Sequence, residues 1–320
     1  MPFPLIPLII GGVSLLAGGY GVKKGVDAKA DFDRAKTIGS RAQRRHRQAV
    51  AALEAERERT NQAFTELGER KLHIFSHQIK AMVDAIKRRK NARASMQDFE
   101  QSISRLDVPE MERMVTGSLQ IERGLASGAV SGALMGLGAY GSVGMLATAS
   151  TGTAIASLSG AAATNATLAW LGGGALSAGG LGMAGGTAVL GGFVAGPAIA
   201  ITGLVMASKA EEALSKAYDY ESEVDQSIAK IDGMQAVLQG LQANAREMGT
   251  TLARLAAHFD QCLQGDALDS DAGFARMLAV GKALKAVLDT PILEADGSAV
   301  PQLQQRLDME IRAAGLVHYQ

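Results

Sequence analysis

The run Leu72–Ile86, LHIFSHQIKAMVDAI, places apolar side chains at 72, 75, 79, 82 and 86. Those intervals, 3, 4, 3 and 4, keep Leu72, Phe75, Ile79, Met82 and Ile86 on one helical face, while His77, Lys80, Lys87, Arg88 and Arg89 surround it. A period near 3.5 residues predicts a left-handed helix-against-helix seam rather than an isolated surface helix. The seam extends upstream through Val50, Leu53, Phe64 and Leu67, but Arg57 and Thr60 interrupt it, so a strict parallel dimer does not follow.

Outward from this stretch the chain reads as helix from about Val26 to Phe99, with a break expected near Gly39. LDVPE at 106–110 starts the next helix: Asp107 is placed to cap exposed amides, Glu110 follows three residues later, and Pro109 is tolerated in a first turn. Met111, Met114, Leu119, Ile121 and Leu125 carry that helix forward. A second arm begins around Lys209. Val224, Ile228, Ile231, Leu238 and Leu241 share a face, continued by Ala245, Met248, Leu252, Leu255, Phe259 and Cys262. Packing the two arms together covers both seams. Residues 274–288 and 302–314 are further candidate helices, with a turn at Asp296-Gly297 between them.

Charge divides the chain more sharply than hydropathy does. Of 320 residues, 32 are basic and 32 acidic, yet residues 23–123 hold 22 basic and 15 acidic groups, and residues 209–320 hold 10 and 17. The 85 residues from 124 to 208 contain no Asp, Glu, Lys, Arg or His, and 21 of them are glycine. Collagen is excluded by the absence of a three-residue glycine period, and no basic surplus marks a dedicated nucleic-acid binder.

The uncharged segment opens with GLASGAVSGALMG, in which Gly124, Gly128, Gly132 and Gly136 recur every fourth residue. Such a glycine-zipper stripe lets a partner backbone approach closely, while Leu and Met on other faces meet lipid or a protein core. Gly182 with Gly186, and Gly192 with Gly196, repeat the interval. Helices near 125–148 and 187–208 are expected, joined through residues 150–180, where Trp170 is suited to a membrane interface. These nine residues are the candidate membrane-insertion and helix-packing positions.

Residues 1–22, MPFPLIPLIIGGVSLLAGGYGV, carry no charged side chain and are followed by Lys23 and Lys24. As a helix, positions 3–22 would rise about 30 Å, although Pro2, Pro4 and Pro7 weaken its start. A membrane anchor or interfacial wedge is the favoured reading over a buried segment or a cleaved signal. The adjacent lysines then put the arms on the cytoplasmic side of a bacterial inner membrane, and a soluble pre-insertion state is compatible with the low hydropathy of Ala and Gly.

Chemistry is sparse. His73 and His77 are four apart, but HIFSH lacks the general base of a zinc-protease helix and no third ligand is assignable. They read as surface or interhelical histidines. His46, in RAQRRHR, belongs to a basic face able to meet acidic lipid. Glu54, Glu56 and Glu58 with Arg57 and Arg59 form a charged helix face. No phosphate-binding GKS or GKT ending and no GxSxG elbow occurs. The single cysteine, Cys262, falls on an apolar stripe and reads as packing. No catalytic residue, metal or cofactor is assigned, and the chain is not expected to be an enzyme.

The expected fold is therefore all-α: an elongated bundle with long antiparallel coiled-coil-like arms and a glycine-rich hydrophobic hairpin. Its parts are an N-terminal anchor or wedge (1–22), a basic arm (23–123), the uncharged hairpin (124–208), an acidic arm (209–265) and short C-terminal capping helices (266–320). In layout, residues 25–265 resemble the α-helical pore-forming toxins, whose soluble members carry a hydrophobic head between long helical arms. GTAIASLSGAAATNATLAWLGGG, residues 152–174, resembles a glycine-rich segment of uncharacterised bacterial membrane-associated proteins. These resemblances imply a membrane-inserting, self-assembling protein acting as a toxin or defence effector. The expected partners are a lipid membrane and either further copies of the chain or another helical protein, without nucleic acid. The alternative is a membrane-associated scaffold that forms no pore.

Overall fold

The computed structural model describes residues 21–92, 107–125, 134, 137–138, 210–264, 270–294 and 298–316. Among them the architecture is helical: α1 (Gly21–Ile74), a π-helical turn (Phe75–Ile79), α2 (Lys80–Ala92), α3 (Val108–Leu125), α4 (Ala210–Cys262), α5 (Asp271–Asp289) and α6 (Leu303–Ala313). An isolated antiparallel bridge, Leu293 to Ala299, lies between α5 and α6. The all-helical bundle expected from apolar periodicity is what forms. The described residues fall into two compact units, one within Met1–Ala55 and Val194–Gln235, the other within Glu56–Phe193 and Ala236–Gln320.

In the first unit α1 and α4 meet through small side chains. Ala35 packs with Ala213 and Ala217, and Ala42 with Tyr220 and Val224. Gly39, between the two alanine contacts, is buried, and α1 runs through it without the break expected there. A glycine on a buried seam admits a partner helix, which offsets its poor helix propensity. Arg45 pairs with Asp225 at 2.8 Å, and the His46 Nε2 and Ser227 Oγ are 3.2 Å apart.

In the second unit the expected seam is the core. Leu72, Phe75, Ile79, Met82 and Ile86 are all buried, as are Met248, Leu252, Leu255 and Phe259 on α4. Lys71, Leu72, Ile74, Phe75, Ser76, Gln78 and Ile79 leave only His73 and His77 exposed in this run, so the helix is enclosed on most of its circumference. The π turn sits within it, with the Lys80 amide donating to the Phe75 carbonyl. α3 begins as its sequence dictates, the Glu110 amide donating to Asp107 Oδ1 at 2.9 Å. α5 is more than a cap: Phe274, Met277, Leu278, Val280, Leu284, Val287 and Leu288 are buried along it. Gly281 meets Met82 and Phe259, a Cβ at that position lying 3.1 Å from Phe259 Cε2.

The direction of the arms departs from expectation. In the first unit, contacts advance together along both helices, from Ala35 with Ala213 and Ala217 to Ala42 with Tyr220 and Val224. In the second, Thr60 meets Gln242 and Gln78 meets Asp260 with the same sequence separation of 182. A constant separation means that α1 and α4 run parallel in each unit, since antiparallel partners would keep a constant sum instead. The antiparallel neighbour of α1 is the return run that follows α3, where Gly68 faces Leu134 and Phe64 faces Gly138. The physical reason is connectivity: the chain has already turned back before the second arm starts, so that arm ascends beside the first.

Candidate functional site

The tightest arrangement in the described structure lies where this return run crosses α1. A Cβ added to Gly68 would overlap the Leu134 carbonyl oxygen, and one added to Gly138 would overlap the Phe64 carbonyl oxygen. The glycines thus remove side-chain bulk from opposite helices at two reciprocal points, one turn apart, and allow backbone to approach backbone. Leu134 and Leu137 are buried at the crossing, with Phe64 and Leu67 on the α1 side.

One turn beyond Gly68 along α1 stands Lys71, with a relative exposure of 0 %. Its Nζ donates to the Gly138 carbonyl oxygen at 3.3 Å. Removing an ammonium from water is costly, and burial pushes the Lys71 amine down to about 7, against an opposing pull from the Asp289 charge. Asp289, at the C-terminus of α5, is itself raised by burial, with Lys285 drawing it back as ion-pair and hydrogen-bond partner. Lys285 also lies 4.0 Å from Glu110 of α3. An ionisable amine, the helix carbonyl it donates to and a half-buried carboxylate whose charge reaches it thus lie where three helical runs converge. The arrangement holds backbone against backbone beside a buried ionisable amine.

Two buried polar side chains of α4 serve packing, one against α1 and one against the bridged loop. Gln242 Nε2 donates to Thr60 Oγ1 at 3.0 Å and to Glu56 Oε2 at 2.9 Å. Glu56 is therefore not simply part of a solvated charged face: the Gln242 hydrogen bond holds its carboxyl below the usual range. Asn244 Nδ2 donates to the carbonyls of Ile292 and Val300, fixing both sides of the bridged loop.

His73 and His77 do share a face, their rings stacked with centroids 4.0 Å apart, and the His77 Nδ1 lies 3.0 Å from the His73 carbonyl oxygen. Among the described residues no group of three or more His, Cys, Asp or Glu is arranged to hold a metal. Cys262 is buried, and burial pushes its thiol up, in keeping with a packing role.

Of the candidate insertion residues, Gly124 falls within α3. Gly128, Gly132, Gly136, Trp170, Gly182, Gly186, Gly192 and Gly196 lie outside the described residues, as do residues 1–20. No helix among the described residues is long and apolar enough to cross a membrane. The clasp residues that sequence reasoning passed over are Gly68, Lys71 and Gly138. Gly68 is an isolated glycine in a charged arm, and Gly138 lies two residues beyond the fourfold ladder. Lys71 did carry a signal: Phe64, Leu67, Lys71 and Ile74 are spaced 3, 4 and 3, which sets the lysine on a buried stripe. No protein-family model matches the chain, and neither a curated protein nor a solved structure matches it.

Proposed function

We propose that this is a membrane-associated helical protein that keeps the leading end of its uncharged segment docked on a helical stem, inserts that segment into lipid and self-assembles there, as pore-forming toxins and defence effectors do. The observation that carries the reading is the docking of Leu134, Leu137 and Gly138 against α1, at the front of 85 residues without a charged side chain. A segment lacking charge has little to lose on leaving water, and its glycines favour helix–helix contact in lipid, where the hydrophobic effect no longer drives association. The docked leading end supplies a water-compatible arrangement from which to start.

Protease protection of the full chain tests this. After incubation with anionic liposomes, peptides from 124–208 should survive digestion while peptides from α4 are cut; complete digestion of both, with protein confirmed on the vesicles, overturns insertion. Dye release at matched bound protein then separates pore from scaffold. Assembly without release would favour a non-pore scaffold.

A further inference from the structure

We infer that Lys71 makes the contact of Leu134, Leu137 and Gly138 with α1 a release latch, closed in this structure and opened by uptake of a proton. The inference deepens the membrane reading and rests on it for its biological consequence, whereas the latch itself is a property of the protein in water.

The geometry carries it. The Gly68 and Gly138 contacts bring backbone against backbone with no room for a methyl group between them, and Lys71 bonds across this seated crossing. The side chain spanning that crossing is a lysine, fully buried, whose acceptor is the carbonyl of Gly138 itself. A methionine of similar length would fill the same volume without a charging cost, so the lysine weakens the closed state relative to an apolar clasp. From α5 the group facing it is Asp289, with Lys285 beside that carboxylate and Glu110 of α3 next to Lys285. The return run contributes the Gly138 carbonyl, and α4 contributes no charged group that moves the titration of Lys71.

The sign follows from linkage. Lys71 has an ordinary value of 10.5 and is lowered to about 7 when the clasp is closed. Between those values the open form binds the extra proton, so closure strengthens as pH rises through this window, by up to about tenfold per pH unit. Below about 7 both forms are charged and this dependence flattens. Asp289 acts in the opposite sense over its own titration range, because burial raises its carboxyl. Asp289→Asn removes that contribution.

Amide hydrogen exchange of the full chain, corrected for intrinsic rates, reads the latch without lipid. Protection at Leu137 and Gly138 should rise steeply between about pH 7 and pH 9, while Leu255 and Leu284 stay flat. In Lys71→Met, protection at 137–138 should be higher and independent of pH. A flat wild-type profile overturns the latch, as does one in which Leu255 and Leu284 move in parallel, which would report global unfolding. Because the wild-type profile decides this alone, a Lys71→Met protein that fails to fold leaves the test intact. A second arm measures flotation on phosphatidylcholine–phosphatidylglycerol vesicles, where Lys71→Met should bind several-fold less. A confirmed pH profile with equal flotation would keep the latch and sink the membrane reading.

Discussion

The same two helices meet in both units by different means. In the first, α1 and α4 touch through Ala35, Ala42, Ala213 and Ala217, with an ion pair at the edge whose side chains remain 44 % and 49 % exposed. In the second, α1 and its π turn are enclosed by α3, α4 and α5 and bury Phe64, Phe75, Ile79 and Met82. Small residues suit a seam between two helices, because bulk there would separate the backbones without finding a second layer to fill. A helix enclosed by three others needs bulk on several faces, and it needs glycine only where another backbone must come close. Burial of large side chains scales with area removed from water, so cohesion is concentrated in the second unit.

Truncation breaks this contrast most directly. Phe259→Ala should destabilise the second unit by about 3–5 kcal/mol, since the ring is fully buried against α5 and its cavity cannot be filled by neighbours on one side alone. Val224→Ala in the first unit removes two methyl groups from a fully buried site and should cost only about 1–2 kcal/mol. Urea denaturation followed by helical circular dichroism measures both. Equal losses would mean that the two-helix seam is packed as deeply as the enclosed core.

Glycine sharpens the contrast because its replacement should change sign. Gly68→Ala drives a methyl group into the Leu134 backbone, which cannot rotate away, and should cost about 3 kcal/mol. Gly233 lies on an exposed face of α4 in the first unit, with nothing within 4 Å of an added Cβ. Gly233→Ala should therefore stabilise by about 0.5–1 kcal/mol through helix propensity alone. Thermal melts of the two variants test the pair. A stabilising Gly68→Ala would show that the helices do not approach as closely as the clasp requires.

Periodicity made the helical class, the α3 cap and nearly every buried position of the 72–86 and 224–262 stripes legible, because burial of an amphipathic helix is a local pattern. Direction was not local. Nothing in the stripe of α1 distinguishes a parallel α4 from an antiparallel one; the choice rests on Gly68 meeting Leu134, a contact between a charged arm and the uncharged segment. Gly39 misled for a related reason, since its low propensity reads as a break until a partner helix covers it. Lys71 was hidden by its chemistry: a lysine on a stripe reads as an interruption at the surface, although its spacing from Phe64, Leu67 and Ile74 is that of a core position. The fourfold glycine ladder drew attention to one stripe, whereas the glycine that contacts α1 in the described structure, Gly138, stands off it.

The smallest effect concerns the polar layer in the α1–α4 seam of the second unit. Gln242 is buried and donates to Thr60 Oγ1 and Glu56 Oε2, and its hydrogen bond is the first cause of the lowered Glu56 carboxyl. A carboxyl lowered on folding adds stability above its ordinary value of 4.5, and that stability fades as pH falls through the lowered folded value. Gln242→Met keeps the volume and removes the donor, so it should lose about 1 kcal/mol at neutral pH, where Thr60 and Glu56 forfeit their shared partner. On acidification the wild type gives up the part of the Glu56 contribution that Gln242 supplies, so the gap between the two stabilities should narrow as pH falls below 4.5 through the lowered folded value. Urea midpoints measured from neutral to acidic pH read the gap directly. A gap that stays constant would assign the role of Gln242 to shape, making this layer no different in kind from the alanine seam of the first unit.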